Sequence, residues 1–216
     1  MRTVPLPLAF ALLLLAACAR EPVPVRQAER QPAATSRDIG QCLASLRDGG
    51  SRFSTVPDRA FGPVCAVRGA VAFASIGGDE GPIGVGSLGP VACPLAGGFG
   101  AWVRFGADRA ARQILGSGLA RVETMGSYAC RNVAGTVRLS AHAQARAVDI
   151  AGFTLADGRR ISVAEDWNGG TEAERRFLRV VHRSACKRFG TVLGPDYNAA
   201  HRDHLHIEEG GGGFCR

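Results

Sequence analysis

The sequence predicts an α+β domain, a small antiparallel sheet with flanking helices, stapled by disulfides. Three observations predict it. Segments patterned as strands and as helices segregate along the chain. Six cysteines remain once an N-terminal one is set aside, an even count suited to disulfides. The 216 residues, 46% hydrophobic and 21% charged, suffice for one core of ordinary size.

The N-terminus reads as an export signal over residues 1–17. Arg2 gives a positive start, and an apolar stretch centred on Phe10–Leu15 follows. It is shorter than the roughly 20 residues of a spanning helix, and no later apolar run approaches that length. Leu15-Ala16-Ala17-Cys18 resembles a lipobox, in which Cys18 becomes the acylated N-terminus. Ala19, where Asp would signal inner-membrane retention, resembles lipoproteins sent to the outer membrane. The expected location is therefore the bacterial periplasm, anchored in the inner leaflet of the outer membrane. Residues 18–39 are rich in Pro, Gln, Ala and Arg and read as the lipidated cysteine and a flexible tether.

Residues 40–216 form the expected domain. Its N-terminal subregion, 40–92, is Gly-rich. Leu43 and Leu46 suggest a helical turn, Val67–Ile76 a strand or hairpin, and residues 77–90 a loop. The site-bearing core spans 93–216. A helix lies within Trp102–Leu115, ended by Gly116 and Gly118. Strands follow over Ala120–Met125, Arg146–Phe153 and Arg160–Val163, the last after an Asp157-Gly158 turn. Thr171-Glu172-Ala173-Glu174 is a capping box opening a helix that carries Phe177, Val180, Val181, Ala185 and Phe189 on one face, with Gly190 at its C-cap. His201–Glu208 is expected to end the fold as its last strand. Gly210–Gly213 read as a flexible lead into Cys215.

The six cysteines are Cys42, Cys65, Cys93, Cys130, Cys186 and Cys215. They allow 15 pairings. Proximity alone favours Cys42–Cys65, Cys93–Cys130 and Cys186–Cys215. A cysteine metal site is disfavoured because the chain has no CxxC pair. The formal charge is +7, and 25 of the 26 basic residues are arginine. Such a surface suits acidic polymers or anionic lipid, but an arginine-biased composition explains it more simply. No basic run, aromatic stacking series or nucleic-acid motif occurs, so nucleic acid is not an expected partner. Oligomeric state is not legible.

Histidine carries the strongest signal. Of the five, His142, His182, His201, His204 and His206, three fall within His201-Arg202-Asp203-His204-Leu205-His206. Read as a strand, Leu205 and Ile207 face the core while His204, His206 and Glu208 face a cleft. The other half is Ser140-Ala141-His142, followed seven residues on by Asp149. On a straight helix that spacing spans about 10 Å, too far for two ligands at about 2.0–2.2 Å from one zinc. The segment must bend, with His142 in a loop, small residues Ala143, Ala145 and Ala147 next, and Asp149 on a strand between core-facing Val148 and Ile150. His182 reads as a satisfied helix residue, and Trp102 and Trp167 as packing.

Ser-x-His, Asp seven residues later and a terminal His-x-His resemble the metallopeptidases that cleave peptidoglycan stems. These are the D-alanyl-D-alanine carboxypeptidases and dipeptidases and the murein endopeptidases. The wider context, including Ser127–Arg131, Leu139–Ile150 and Gly194–Glu208, resembles the bacterial extensin-like C-terminal family over roughly 42–216. The resemblance implies His142, Asp149 and His206 as ligands of Zn2+ with a fourth position for water. It implies His204 as general base, with Asp203 the second choice. Arg131 would stabilise an oxyanion or bind a substrate carboxylate. Ser140 would orient the ligand loop, and His201 would stand beside the site. The implied function is a zinc-dependent peptidase acting on peptidoglycan. The alternative is a non-catalytic wall-binding or scaffolding lipoprotein that retains the metal site. One position departs from the peptidase pattern: Ala145 stands where glycine is usual.

Overall fold

The computed structural model describes residues 34–210 and 213–216. The expected signal peptide, the lipidation site Cys18 and most of the tether lie outside the described residues, as do Gly211 and Gly212. Among the described residues no helix is long and apolar enough to cross a membrane.

The architecture is α+β, with a sheet larger than expected and of mixed direction. Helix α1 (Ser36–Asp48) opens four residues before the expected domain border, on a capping box between Thr35 and Asp38. Strands β1 (Arg52–Val56), β2 (Arg59–Phe61), β3 (Cys65–Val67), β4 (Ala70–Gly77), β5 (Pro82–Gly86) and β6 (Pro90–Ala92) follow. Thus Val67–Ile76 divides between two strands, and the stretch expected to be a loop contains β5. Gly84 and Gly86 hid that strand, since glycine carries no strand propensity.

Helix α2 (Cys93–Trp102) continues through a π-helical turn at Val103–Asp108 into α3 (Arg109–Leu115), so the helix begins nine residues before Trp102. Gly97, Gly98 and Gly100 obscured its first turns. Gly106 is required where this helix meets a neighbour: a Cβ there would lie 2.5 Å from the Ser184 hydroxyl and 2.8 Å from the Trp102 ring. Gly116 ends α3 in the left-handed region, at φ 73°. Asp108, fully buried, accepts from the Leu119 N–H at 2.7 Å and so fixes where the next strand begins.

Strands β7 (Leu119–Gly126), β8 (Ala147–Leu155) and β9 (Arg160–Ser162) match their expected positions within two residues. After the short α4 (Val163–Asp166) comes α5 (Glu172–Cys186), opened by the capping box at Thr171 and Glu174. Then come β10 (Thr191–Leu193), β11 (Leu205–Glu208) and β12 (Phe214–Cys215). The final strand is β12, not the His201–Glu208 segment. His201 belongs to a 3-10 turn at Ala199–His201 instead.

The main sheet runs β1-β4-β5-β7-β8-β11-β10-β12, with β6 added to β4 and β9 to β8. The β5–β7 and β10–β12 pairs are parallel and the others antiparallel. The helical layer packs on one face. Trp102, Phe99, Phe153 and Phe177 are completely buried there, with Trp102 against Phe153 and Phe153 edge-on to Phe177. Each such side chain contributes about 2–3 kcal/mol by leaving water. The opposite face, at β8 and β11, carries Asp149 and His206.

Two expected cysteine pairs are corrected. The disulfides are Cys42–Cys93, Cys65–Cys130 and Cys186–Cys215. Only the last agrees with proximity. The packing of α1 against the start of α2 brings Cys42 to Cys93. That leaves Cys65, on the β2–β3 hairpin, for Cys130 on the loop before the site.

Candidate metal centre

Three segments far apart in sequence form one cluster. Ser140 caps a 3-10 turn at Ala141–Gln144, its hydroxyl accepting from the His142 N–H at 3.3 Å. The turn closes on Ala145 in the left-handed region, φ 55°, and the chain then enters β8. This is the bend that the seven-residue spacing demanded. A Cβ in this conformation costs about 1–2 kcal/mol. Here the alanine methyl is fully buried beside Val67 and Ala70, which offsets that cost.

Asp149 follows on β8, between fully buried Val148 and Ile150. Directly across the ladder is His206 on β11, between fully buried Leu205 and Ile207. Strand alternation therefore turns Asp149 and His206 to the same face. His142 and His206 are almost wholly buried, and Asp149 keeps a little access to solvent.

The ligand atoms converge. His142 Nε2 lies 3.2 Å from His206 Nδ1 and 3.2 Å from Asp149 Oδ2. His206 Nδ1 lies 2.7 Å from Asp149 Oδ1. A tetrahedral ion with ligands at about 2.0–2.1 Å holds neighbouring ligand atoms about 3.3 Å apart. These separations approach the edges of one face of such a polyhedron, once Asp149, whose two oxygens each meet one ring, turns a single oxygen toward the ion. The distal nitrogens fit as well. His142 Nδ1–H donates to the Ser127 carbonyl at 3.2 Å, which leaves Nε2 with its lone pair inward. His206 Nε2–H donates to Glu208 Oε1 at 3.0 Å, which turns Nδ1 inward. The Ser127 carbonyl is itself steadied, since its residue's hydroxyl donates to the Leu88 and Pro90 carbonyls.

The metal-free electrostatics show the same poise. Burial pushes His206 down, but the Asp149 and Glu208 carboxylates outweigh it and hold the imidazolium up to about 9. Burial raises Asp149, yet the His142 and His206 rings beside it hold it well below the usual carboxylate range. A cation placed among these groups would replace that proton.

The remaining expected residues ring this cluster. His204 Nδ1–H donates to Asp203 Oδ1 at 2.8 Å, and its Nε2 stands 3.6 Å from Asp149 Oδ1. The two base candidates are therefore one hydrogen-bonded pair with His204 nearer the ligands. The hydrogen bond from His204 lowers Asp203. His201 Nδ1–H donates to the Asn198 side-chain carbonyl, and its ring lies 5.2 Å from that of His204 and 5.8 Å from that of His206. Burial, then the neighbouring imidazoles, lower His201 to about 4, so it is neutral at pH 7. Arg131 is exposed, forms no ion pair among the described residues, and adds a smaller push in the same direction at His201.

Glu208 is the residue whose part the sequence left open. Strand parity put it on the cleft face, but its bond to His206 Nε2 depends on a rotamer that spacing does not encode. A second group of potential ligands, His182, Cys186 and Cys215, is not available to a metal, because both cysteines are spent in one disulfide. His182 instead meets the Arg216 carbonyl at 3.1 Å and packs edge-on against Trp167.

No curated protein and no solved structure matches the chain. The family model described as Extensin-like protein C-terminus matches residues 40–216, the whole folded region apart from the first turn of α1. The chain therefore belongs to the extensin-like protein C-terminus family.

Proposed function

We propose that this protein is a zinc-dependent peptidase of the bacterial envelope, acting on the peptide stems or cross-links of peptidoglycan. The observation that carries the reading is the spacing of His142 Nε2, Asp149 and His206 Nδ1, at 2.7–3.2 Å, with His204 Nε2 beside them. Two imidazoles and one carboxylate are the donor set of a catalytic zinc, which leaves one position open. When bound, zinc supplies Lewis acidity to water and to the scissile carbonyl.

The chain's own groups do the rest. His204 Nε2 takes the proton of the attacking water, while Asp203 holds the ring by its Nδ1–H. Arg131 meets the developing oxyanion or a substrate carboxylate. Ser127 and Glu208 keep both ligand rings in register through their distal nitrogens. The lipobox-like Cys18, followed by Ala19, supports a lipid anchor in the outer membrane facing the periplasm, an oxidising compartment that suits the three disulfides.

The test is incubation of the zinc-loaded protein with isolated sacculi, with soluble products resolved by mass spectrometry. The reading expects peptide-bond cleavage that chelator and His204→Ala abolish. A fully zinc-loaded protein that releases no fragment would contradict it and favour a wall-binding role.

A further inference from the structure

The face that carries the metal ligands does not stop at β11. Its register continues across β10 to the edge strand. His206 pairs with Leu193, and Glu208 pairs with Thr191. Thr191 in turn pairs with Phe214 on β12. Partners in a ladder point to the same face, so Leu193, Thr191 and Phe214 extend the surface on which His206 and Glu208 stand.

A chain of rings borders that extension. The ring of His201 lies 5.8 Å from His206, that of Tyr197 5.6 Å from His201, and that of Phe214 5.6 Å from Tyr197 in an edge-to-face arrangement. The Arg216 guanidinium ends the series, 5.4 Å from the Phe214 ring. Exposure rises outward. His206 is buried, His201 half-buried, and Tyr197 and Phe214 are 41% and 46% exposed. Large rings left open in this way lose apolar contact that a ligand could restore.

We propose that this ladder is a saccharide subsite that holds a sugar ring of the glycan strand while the attached peptide lies over the metal centre. The proposal rests on the peptidoglycan reading above. A pyranose presents C–H faces that cover an aromatic ring and a belt of hydroxyl and amide groups that need polar partners. The ladder offers both, its rings carrying the Tyr197 hydroxyl and ending at the Arg216 guanidinium. An extended peptide would pair with a run of free backbone donors, and most of those here are already used. The N–H groups of Gly194, Tyr197, Phe214 and Arg216 donate to the carbonyls of Arg216, Gly194, Gly190 and Val192. The side-chain rings are the larger part of what this surface offers.

The experiment is calorimetry on the zinc-loaded full chain with two probes: a soluble disaccharide–tetrapeptide and the same tetrapeptide without sugars. The disaccharide form is expected to bind about tenfold more tightly. Tyr197→Ala is expected to erase that advantage while binding the bare peptide as wild type does. Phe214→Leu, which keeps an apolar side chain beside Cys215 but removes the ring, serves as the second variant if Tyr197→Ala misfolds. Equal affinity for the two probes, or an advantage that survives both substitutions, overturns the subsite. Loss of the advantage in the variants sustains it even if sacculi are never cleaved, so the two readings fail separately.

Discussion

At the scale of single residues, the account turns on how each ligand is aimed. Glu208 is the clearest case, because its only contact with the centre runs through His206 Nε2–H. A carboxylate in that position fixes the tautomer and raises ligand basicity. Glu208→Ala is expected to weaken zinc binding by about 10–100-fold, with Glu208→Gln recovering part of the loss. Competition with a chromogenic chelator measures it, and affinities within twofold of wild type would rule the role out. His206 sets a pH signature. In chelator its folded-state pKa is raised to about 9 from an ordinary 6.5. The stabilisation is therefore complete below pH 6.5 and is lost as pH rises through 9. Zinc needs the unprotonated Nδ1, so its stabilisation grows over the same window. Melting curves with zinc and with chelator should diverge from pH 6.5 to 9, and parallel curves would contradict the assignment.

At the scale of elements, the turn between Ser140 and β8 decides whether His142 meets Asp149. Ala145 carries the left-handed residue of that turn. Ala145→Gly would relieve about 1–2 kcal/mol of backbone strain. It would also lose roughly 0.8 kcal/mol of buried methyl and raise the entropy of the unfolded chain by a similar amount. The expected net change in unfolding free energy is within about 1 kcal/mol, with zinc binding kept, as denaturant titration would show. A loss above about 2 kcal/mol would mean that the methyl packing dominates. The bend itself was readable from the sequence, because seven residues cannot bring two ligands together in a helix. The faces of β8 and β11 were readable from the alternation of Val148, Asp149 and Ile150 and of Leu205, His206 and Ile207. The elements that escaped were β1, β2, β5, β6, β10 and β12, the short α4 and the first turns of α2, most of them short or glycine-rich. Their stability comes from neighbours in the sheet and core, not from local pattern.

At the scale of the whole molecule, two disulfides cross. Cys42–Cys93 and Cys65–Cys130 close loops of 51 and 65 residues that overlap in the chain. Pairing by proximity fails here because the fold sets which cysteines meet. The packing of α1 on α2 and the docking of the β2–β3 hairpin beside the site loop are both long-range. Loops of this size limit the unfolded state by about 4 kcal/mol each on the chain-entropy model. Peptide mapping without reduction is expected to recover the crossed pairs, and recovery of Cys42–Cys65 would refute this topology. Cys130 sits three residues after Ser127, whose carbonyl orients His142. The Cys65–Cys130 bridge therefore ties the fold's N-terminal subregion to the ligand set.

The central claim is that three residues from two strands and a turn hold one zinc ion. Metal analysis by plasma mass spectrometry after zinc loading and exhaustive dialysis tests it most directly. The account predicts about one zinc per chain in wild type and less than about a tenth of that in His142→Ala, Asp149→Ala and His206→Ala, each folded by circular dichroism. A wild-type chain without zinc, or variants that retain it in full, would contradict it.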